Sequence, residues 1–342
     1  MAQLTYRAWR DGDDHVLLQL WGDAEGAAAE QFRGAFGPDS DVVQQGAAAG
    51  EGGAHDGAGS APGAWRRCVV AEDQGIPVAA GVVYASALHP QRHWAYVEVA
   101  RDHRRQGVGT ELLRQLREAA EASPSGVAAL RSRVTVGTPG ADFAAARGFS
   151  TLQRSRHVVV RPGSLKLPVF GDGEDSGDSP LVEDLATGSV ELSDAVARYY
   201  TEINGWDPPA PISVGRAQQL FLSEAAGAHG AVVLRAPAES AFGSAVAPSK
   251  RKGRLRAFAV SYAAPGGAAA DDPSEVLLGH EVRLDAEDAR DAVRGLLALI
   301  AYQHPVSLEL DDSMVALRAT VEPLLAAGAA EQVGADTLTV GD

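Results

Sequence analysis

The chain has 342 residues, 45 acidic against 30 basic side chains, a formal net charge of −15 and 45% hydrophobic residues. That length is about two domains' worth, and a surface this acidic excludes nucleic acid or an anionic membrane as the main partner, since both select a basic footprint. The opening MAQLTYRAWRDGDD lacks a signal-peptide layout and no stretch reaches the ~20 apolar residues of a membrane span, so the expectation is a cytoplasmic protein, monomer or homodimer, acting on a small molecule.

In chain order, LTYRAW reads as a strand, DDHVLLQLWG and AAAEQFRGAFG as helices, and residues 37–64 as a Gly/Ala/Ser/Asp loop with almost nothing to bury. WRRCVVAE, PVAAGVVYAS and HWAYVEVA follow as strands, the last two joined by ALHPQR. The lone cysteine, Cys68, has no second thiol to bond or chelate with and reads as a strand core residue. A helix from Gly109 to Ala122 carries Leu112, Leu113 and Leu116 on one side. ALRSRVTV is a further strand, ADFAAARGF a short helix stopped at Gly148, and TLQRSRHVVVRP a strand closed by Pro162. The order of elements then repeats. Residues 163–180 form a hydrated linker, VELSDAVARYYTEI is a helix, AVVLRA, RLRAFAVSYA and EVLLGHEVRL are strands, and AEDARDAVRGLLALIAYQ, PVSLELD and Ser313–Ala327 read as helix, strand, helix. Setting Val99 on Val282 brings Leu112 and Leu113 within one residue of Leu296 and Leu297, so the halves 1–162 and 181–342 read as tandem copies of one fold.

The copies differ where the first has RRQGVG and the second has LDAEDARD. A strand that enters a helix through glycines presents unpaired N–H groups at the positive end of the helix dipole, an anion site that Arg104 and Arg105 reinforce. The run G-V-G-T-E-L lacks the third glycine of a dinucleotide fingerprint, and no GK[ST] is present. The stretch instead resembles motif A of the GNAT superfamily of acetyl-CoA-dependent N-acetyltransferases, with R-x-x-G-x-G at Arg104, Gly107 and Gly109, Val99 five residues before the arginine, and ARGF ending at Phe149 similar to a second signature. The resemblance covers residues 4–162 clearly and the second half by element order alone. It implies an α/β (α+β) fold of two tandem GNAT-like domains, each a mixed, mostly antiparallel sheet flanked by helices, the second copy degenerate. It also implies that Val97, Glu98 and Val99 offer backbone to the pantetheine arm, and that the diphosphate lies on the amides of Arg105, Gln106, Gly107, Val108, Gly109 and Thr110, with no metal.

The implied activity is direct transfer of acetyl to a primary amine of a small molecule, with the Val99 N–H as oxyanion donor. Two side chains are candidates for the base. His93 stands eleven residues before Arg104, where some members carry His or Glu, and has a suitable ordinary pKa; Glu98 is a carboxylate in an apolar strand, of opposite parity to His93. The tyrosine that many members use as proton donor is replaced by Ala144. A non-catalytic acyl-CoA sensor or scaffold, or a protein acetyltransferase drawing lysine-rich targets to an acidic surface, are the alternatives. Trp206 and Asp207 in NGWDPPAP are candidates to hold the amine, against plain loop packing. SKRKGR at 249–254 reads as a solvated loop, and His280, Glu281, His304 and Glu309 lack metal-ligand spacing.

Overall fold

The computed structural model describes residues 4–23, 27–41, 65–167, 181–236, 253–263 and 272–342. Residues 42–64 of the expected loop, 168–180 of the linker and 249–252 of the basic run lie outside the described residues. The first half runs β1 (Leu4–Ala8), α1 (Asp13–Trp21), α2 (Ala27–Arg33), β2 (Arg66–Asp73), β3 (Ile76–Tyr84), β4 (His93–Val99), α3 (Val108–Glu121), β5 (Leu130–Thr135), α4 (Pro139–Ala146) and β6 (Ser150–Val160). The second half repeats it: β7 (Leu181–Asp184), α5 (Val190–Ile203), α6 (Val214–Ala217), β8 (Ala228–Arg235), β9 (Leu255–Tyr262), β10 (Ser274–His280), α7 (Ala286–Ile300), β11 (Val306–Asp311), α8 (Val315–Ala326) and β12 (Ala330–Gly341).

These strands form one 12-stranded sheet in the order β1-β2-β3-β4-β5-β12-β6-β11-β10-β9-β8-β7. All neighbours pair antiparallel except β4 with β5 and β10 with β11. The two halves therefore do not close two separate sheets. Each lends its last strand to the other: β12 lies against β5 and β6 lies against β11, with β6 and β12 paired at the centre. The strands β7 and β12 have no counterpart among the sequence-based expectations.

Period-2 alternation divides β4 between two layers. Val97 and Val99 join Val108, Leu112, Leu113 and Leu116 of α3, whose apolar stripe at three- and four-residue spacing is buried against β2–β4. On the opposite face Trp94 and Tyr96 meet Phe32 of α2, the Phe32 and Tyr96 rings stacked with centroids 4.9 Å apart. Cys68 is 2% exposed within this second layer, and burial pushes its thiol up to about 12.

Candidate active site

The parallel partners β4 and β5 are in register only at His93 with Leu130 and Trp94 with Arg131. Beyond that vertex they part. The bond from Ala100 N–H to Val78 O, 2.9 Å, fixes the β3–β4 alternation, so even-numbered residues of β4 exchange hydrogen bonds with β3 while the main-chain groups of Val97 and Val99 turn toward the gap. A gap of this kind offers an extended, amide-bearing chain the ladder positions that β5 has vacated.

At the open end the chain passes through a 3₁₀ turn, Arg101–His103, and then reverses. Arg105 has φ 65° and Gly107 φ 86°, two left-handed residues in the turn that leads into α3. Helix α3 begins at once, with Gly107 as N-cap and no side chain capping it. The helical ladder starts with Glu111 N–H to Gly107 O at 3.0 Å, which leaves the amides of Val108, Gly109 and Thr110 without intrahelical acceptors. The glycines serve different ends. Gly107 meets the backbone requirement, whereas Gly109 lies under the Phe143 ring, which a Cβ there would meet at 3.5 Å. Of the flanking arginines, Arg104 donates from Nε to the Val99 carbonyl at 3.0 Å and closes the strand end, while Arg105 is exposed. The Gln106 side chain donates to Asp102 O at 2.9 Å, bracing the turn.

The two candidate bases have different surroundings. His93 is at the closed end of the strand pair, 2% exposed on the α3 side, against the Trp65 ring and within 3.2 Å of the Ser123 and Ser125 hydroxyls. Burial lowers its pKa to about 4. It is a neutral core residue on the closed side of the vertex, one position before the strands part. Glu98 stands near the open end on the opposite face. Arg33 of α2 clasps its carboxylate with two bonds of 2.9 and 2.5 Å, and the Tyr96 hydroxyl donates to it at 2.8 Å. The clasp raises the Arg33 pKa; burial first, and then the Glu98 charge, raise that of Tyr96, so the phenol stays a donor. Oε2 accepts from both Arg33 Nε and the Tyr96 hydroxyl and is filled, while Oε1 accepts from Arg33 Nη2 alone and retains a lone pair for a further donor. Around this group lie Trp21, Phe36 and Trp9, with the Arg33 guanidinium 5.5 Å from the Trp21 ring centre and Phe36 stacked on Trp9 at 5.6 Å.

Asp207 holds no acceptor pocket open, contrary to one expectation. It is 0% exposed and both oxygens are used, by Arg131 at 2.7 Å and Arg92 at 2.9 Å. The signal that sequence reasoning missed was Arg131, an arginine inside a strand with no acid nearby in its own half.

The second half shows what the glycine loop avoids. Its strands β10 and β11 also part after two pairs, Ser274 with Val306 and Glu275 with Ser307. Helix α7, however, is capped by the Asp285 carboxylate, which accepts from Glu287 N and Asp288 N at 3.0 and 2.9 Å. An acid already holds the place an outside anion needs. Phe258 and Tyr199 crowd Gly279 of β10 so closely that a Cβ there would lie 2.4 Å from the Phe258 ring. Among the described residues no cluster of three or more His, Cys, Asp or Glu could hold a metal ion, and no helix is long and apolar enough to cross a membrane.

Residues 64–151 match a family model described as an acetyltransferase (GNAT) domain. No curated protein matches the chain. The GCN5-related N-acetyltransferase from Sphaerobacter thermophilus is 13% identical and aligns over 99% of this chain and 95% of that one with a TM-score of 0.50, a likeness of fold. A tandem GNAT protein from the clavulanic acid biosynthesis pathway aligns over 99% and 98% at 16% identity and a TM-score of 0.47.

Proposed function

On the premise that residues 64–151 are an acetyltransferase domain of the GNAT superfamily, we propose that the protein moves acetyl from acetyl-CoA directly onto a primary amine of a small molecule. The observation that carries this reading is the parting of β4 from β5 at Trp94 and Arg131, which leads to uncapped amides at the start of α3. A diphosphate suits those amides and Arg105, and a pantetheine arm suits the main-chain groups of Val97 and Val99. When bound, the coenzyme supplies an acetyl thioester, already activated toward an amine. The Val99 N–H is the donor for the thioester oxygen, worth a few kcal/mol as negative charge develops there. Glu98 receives the amine proton. Arg33 and Tyr96 fix the carboxylate in place, and the remaining lone pair on Oε1 accepts from an incoming ammonium group. His93 is a packing residue in this scheme, and Ala144, 6% exposed on α4, offers no proton to a departing thiolate.

The test is free-thiol release with acetyl-CoA and a panel of small amines. Glu98→Gln is expected to lower kcat/KM about 100-fold or more with coenzyme affinity unchanged, whereas His93→Gln spares turnover per folded molecule. Unimpaired turnover in Glu98→Gln would remove that residue from the scheme. A second reading, a coenzyme-binding sensor, draws on Ala144 and on the Arg33 clasp of Glu98; tight binding with no thiol release on any amine or lysine-rich peptide would favour it.

A further inference from the structure

The two strands that part to form the proposed coenzyme slot touch each other at only two register positions, both beside the vertex. What holds that vertex comes from the other half of the chain. Asp207, in the loop between α5 and α6, gives one oxygen to Arg131 of β5 at 2.7 Å and the other to Arg92, which immediately precedes β4, at 2.9 Å. One carboxylate thus bridges the two strands just where they separate. The Arg131 guanidinium is 1% exposed and lies 3.9 Å over the Trp94 ring, its own partner across the vertex. Trp94 in turn packs edge-on to Phe32, which stacks on Tyr96, the donor to Glu98. The loop itself is fixed by a buried pair of bonds from His89, one ring nitrogen 2.6 Å from Asp207 O and the other 2.7 Å from the Tyr200 hydroxyl. On its far side β5 is paired by β12, again from the second half.

We infer that Asp207 is a positioning residue through which the second half sets the vertex of the β4–β5 slot, so that coenzyme binding by the first half depends on the copy that has lost its own loop. A buried cation, Arg131, and a partly exposed one, Arg92, a strand apart repel unless a charge lies between them. Without that charge the vertex relaxes, and the amides of Val97 and Val99 lose their alignment with anything that adds along β4.

This inference rests on the proposed coenzyme site, and the experiment separates the two. Calorimetric titration with CoA is run on the full chain, on Asp207→Asn and on Arg92→Gln, each below its own melting temperature. Arg92 is 19% exposed, so its replacement keeps the fold while removing one arm of the bridge. The expected result is about tenfold weaker CoA binding in Asp207→Asn and a smaller loss in Arg92→Gln, with the KM for acetyl-CoA rising and that for the amine unchanged. A purely structural role would lower the melting temperature yet leave affinity and both KM values at those of the parent, and would overturn the inference. Absence of binding by the parent chain would instead overturn the coenzyme site.

Discussion

Removing the last strand is the perturbation that most directly tests the exchanged architecture. A chain ending at Gly328 keeps every residue of the first half and of the proposed site, yet loses β12. That strand pairs with β6 along Ala330–Val333 and Thr337–Gly341, and with β5 along Thr337–Gly341. On the order of ten ladder hydrogen bonds disappear, each worth about 1 kcal/mol net, and the buried side chains of Ala330, Thr339 and Val340 go with them. The sum, roughly 10 kcal/mol, equals the ~5–15 kcal/mol that holds an ordinary domain together. It also opens two central strand edges, of β5 and β6, to foreign pairing. The truncated chain is expected to aggregate, or to show non-cooperative urea unfolding with no CoA binding, and a peptide of residues 329–342 added in trans should restore part of both. A truncated chain that unfolds cooperatively at the parent's midpoint and binds CoA normally would refute the reasoning.

Further outcomes follow from single residues. Gly107→Val places a side chain at φ 86° and should cost about 2 kcal/mol in urea unfolding and at least tenfold in CoA affinity. Gly109→Ala meets only ordinary contact at Phe143 and gains up to ~1 kcal/mol of helix propensity, so it should be no less stable yet bind CoA more weakly. His93 is neutral in the fold down to about pH 4 and charges near pH 6.5 when unfolded, so the unfolded chain binds the extra proton between those values. Its share of stability, present above pH 6.5, is lost as pH falls toward 4, roughly 3 kcal/mol in all. His93→Gln should flatten the difference between urea midpoints at pH 7 and pH 5. Cys68, with its thiol pushed up to about 12, should react with an aromatic disulfide reagent at pH 8 only once urea unfolds the chain.

The first half was legible because its elements carry strong local signals. Strands β2, β3 and β4 are dense in Val, Ala and aromatics, α3 repeats leucine at helical spacing, and glycines punctuate the loop between β4 and α3. Strand β12 was not, although it lies at the centre of the sheet. Its sequence AEQVGADTLTVG has a glycine with φ 75° at Gly334 and a register shift between Val333 and Thr337, so no unbroken apolar alternation exists to be seen. Its polar residues match its neighbours, Thr339 facing Arg133 and Gln153, and Thr337 facing Thr135 and Ser155. That agreement is visible only after pairing. The catalytic candidates show the same limit. Spacing before Arg104 singled out His93 and an acid in an apolar strand singled out Glu98, but only packing separates an imidazole sealed under Trp65 from a carboxylate held by Arg33 on a different helix.

The reciprocal loan of β6 and β12 also governs how the polypeptide is made. As synthesis proceeds from the amino end, the strands up to β5 emerge early and wait for a partner that the ribosome supplies only at residues 330–341, so the first half finishes folding last. Until then it carries an unfilled seam, the condition in which nascent chains depend on chaperones and in which two neighbouring copies on one message can zip into each other.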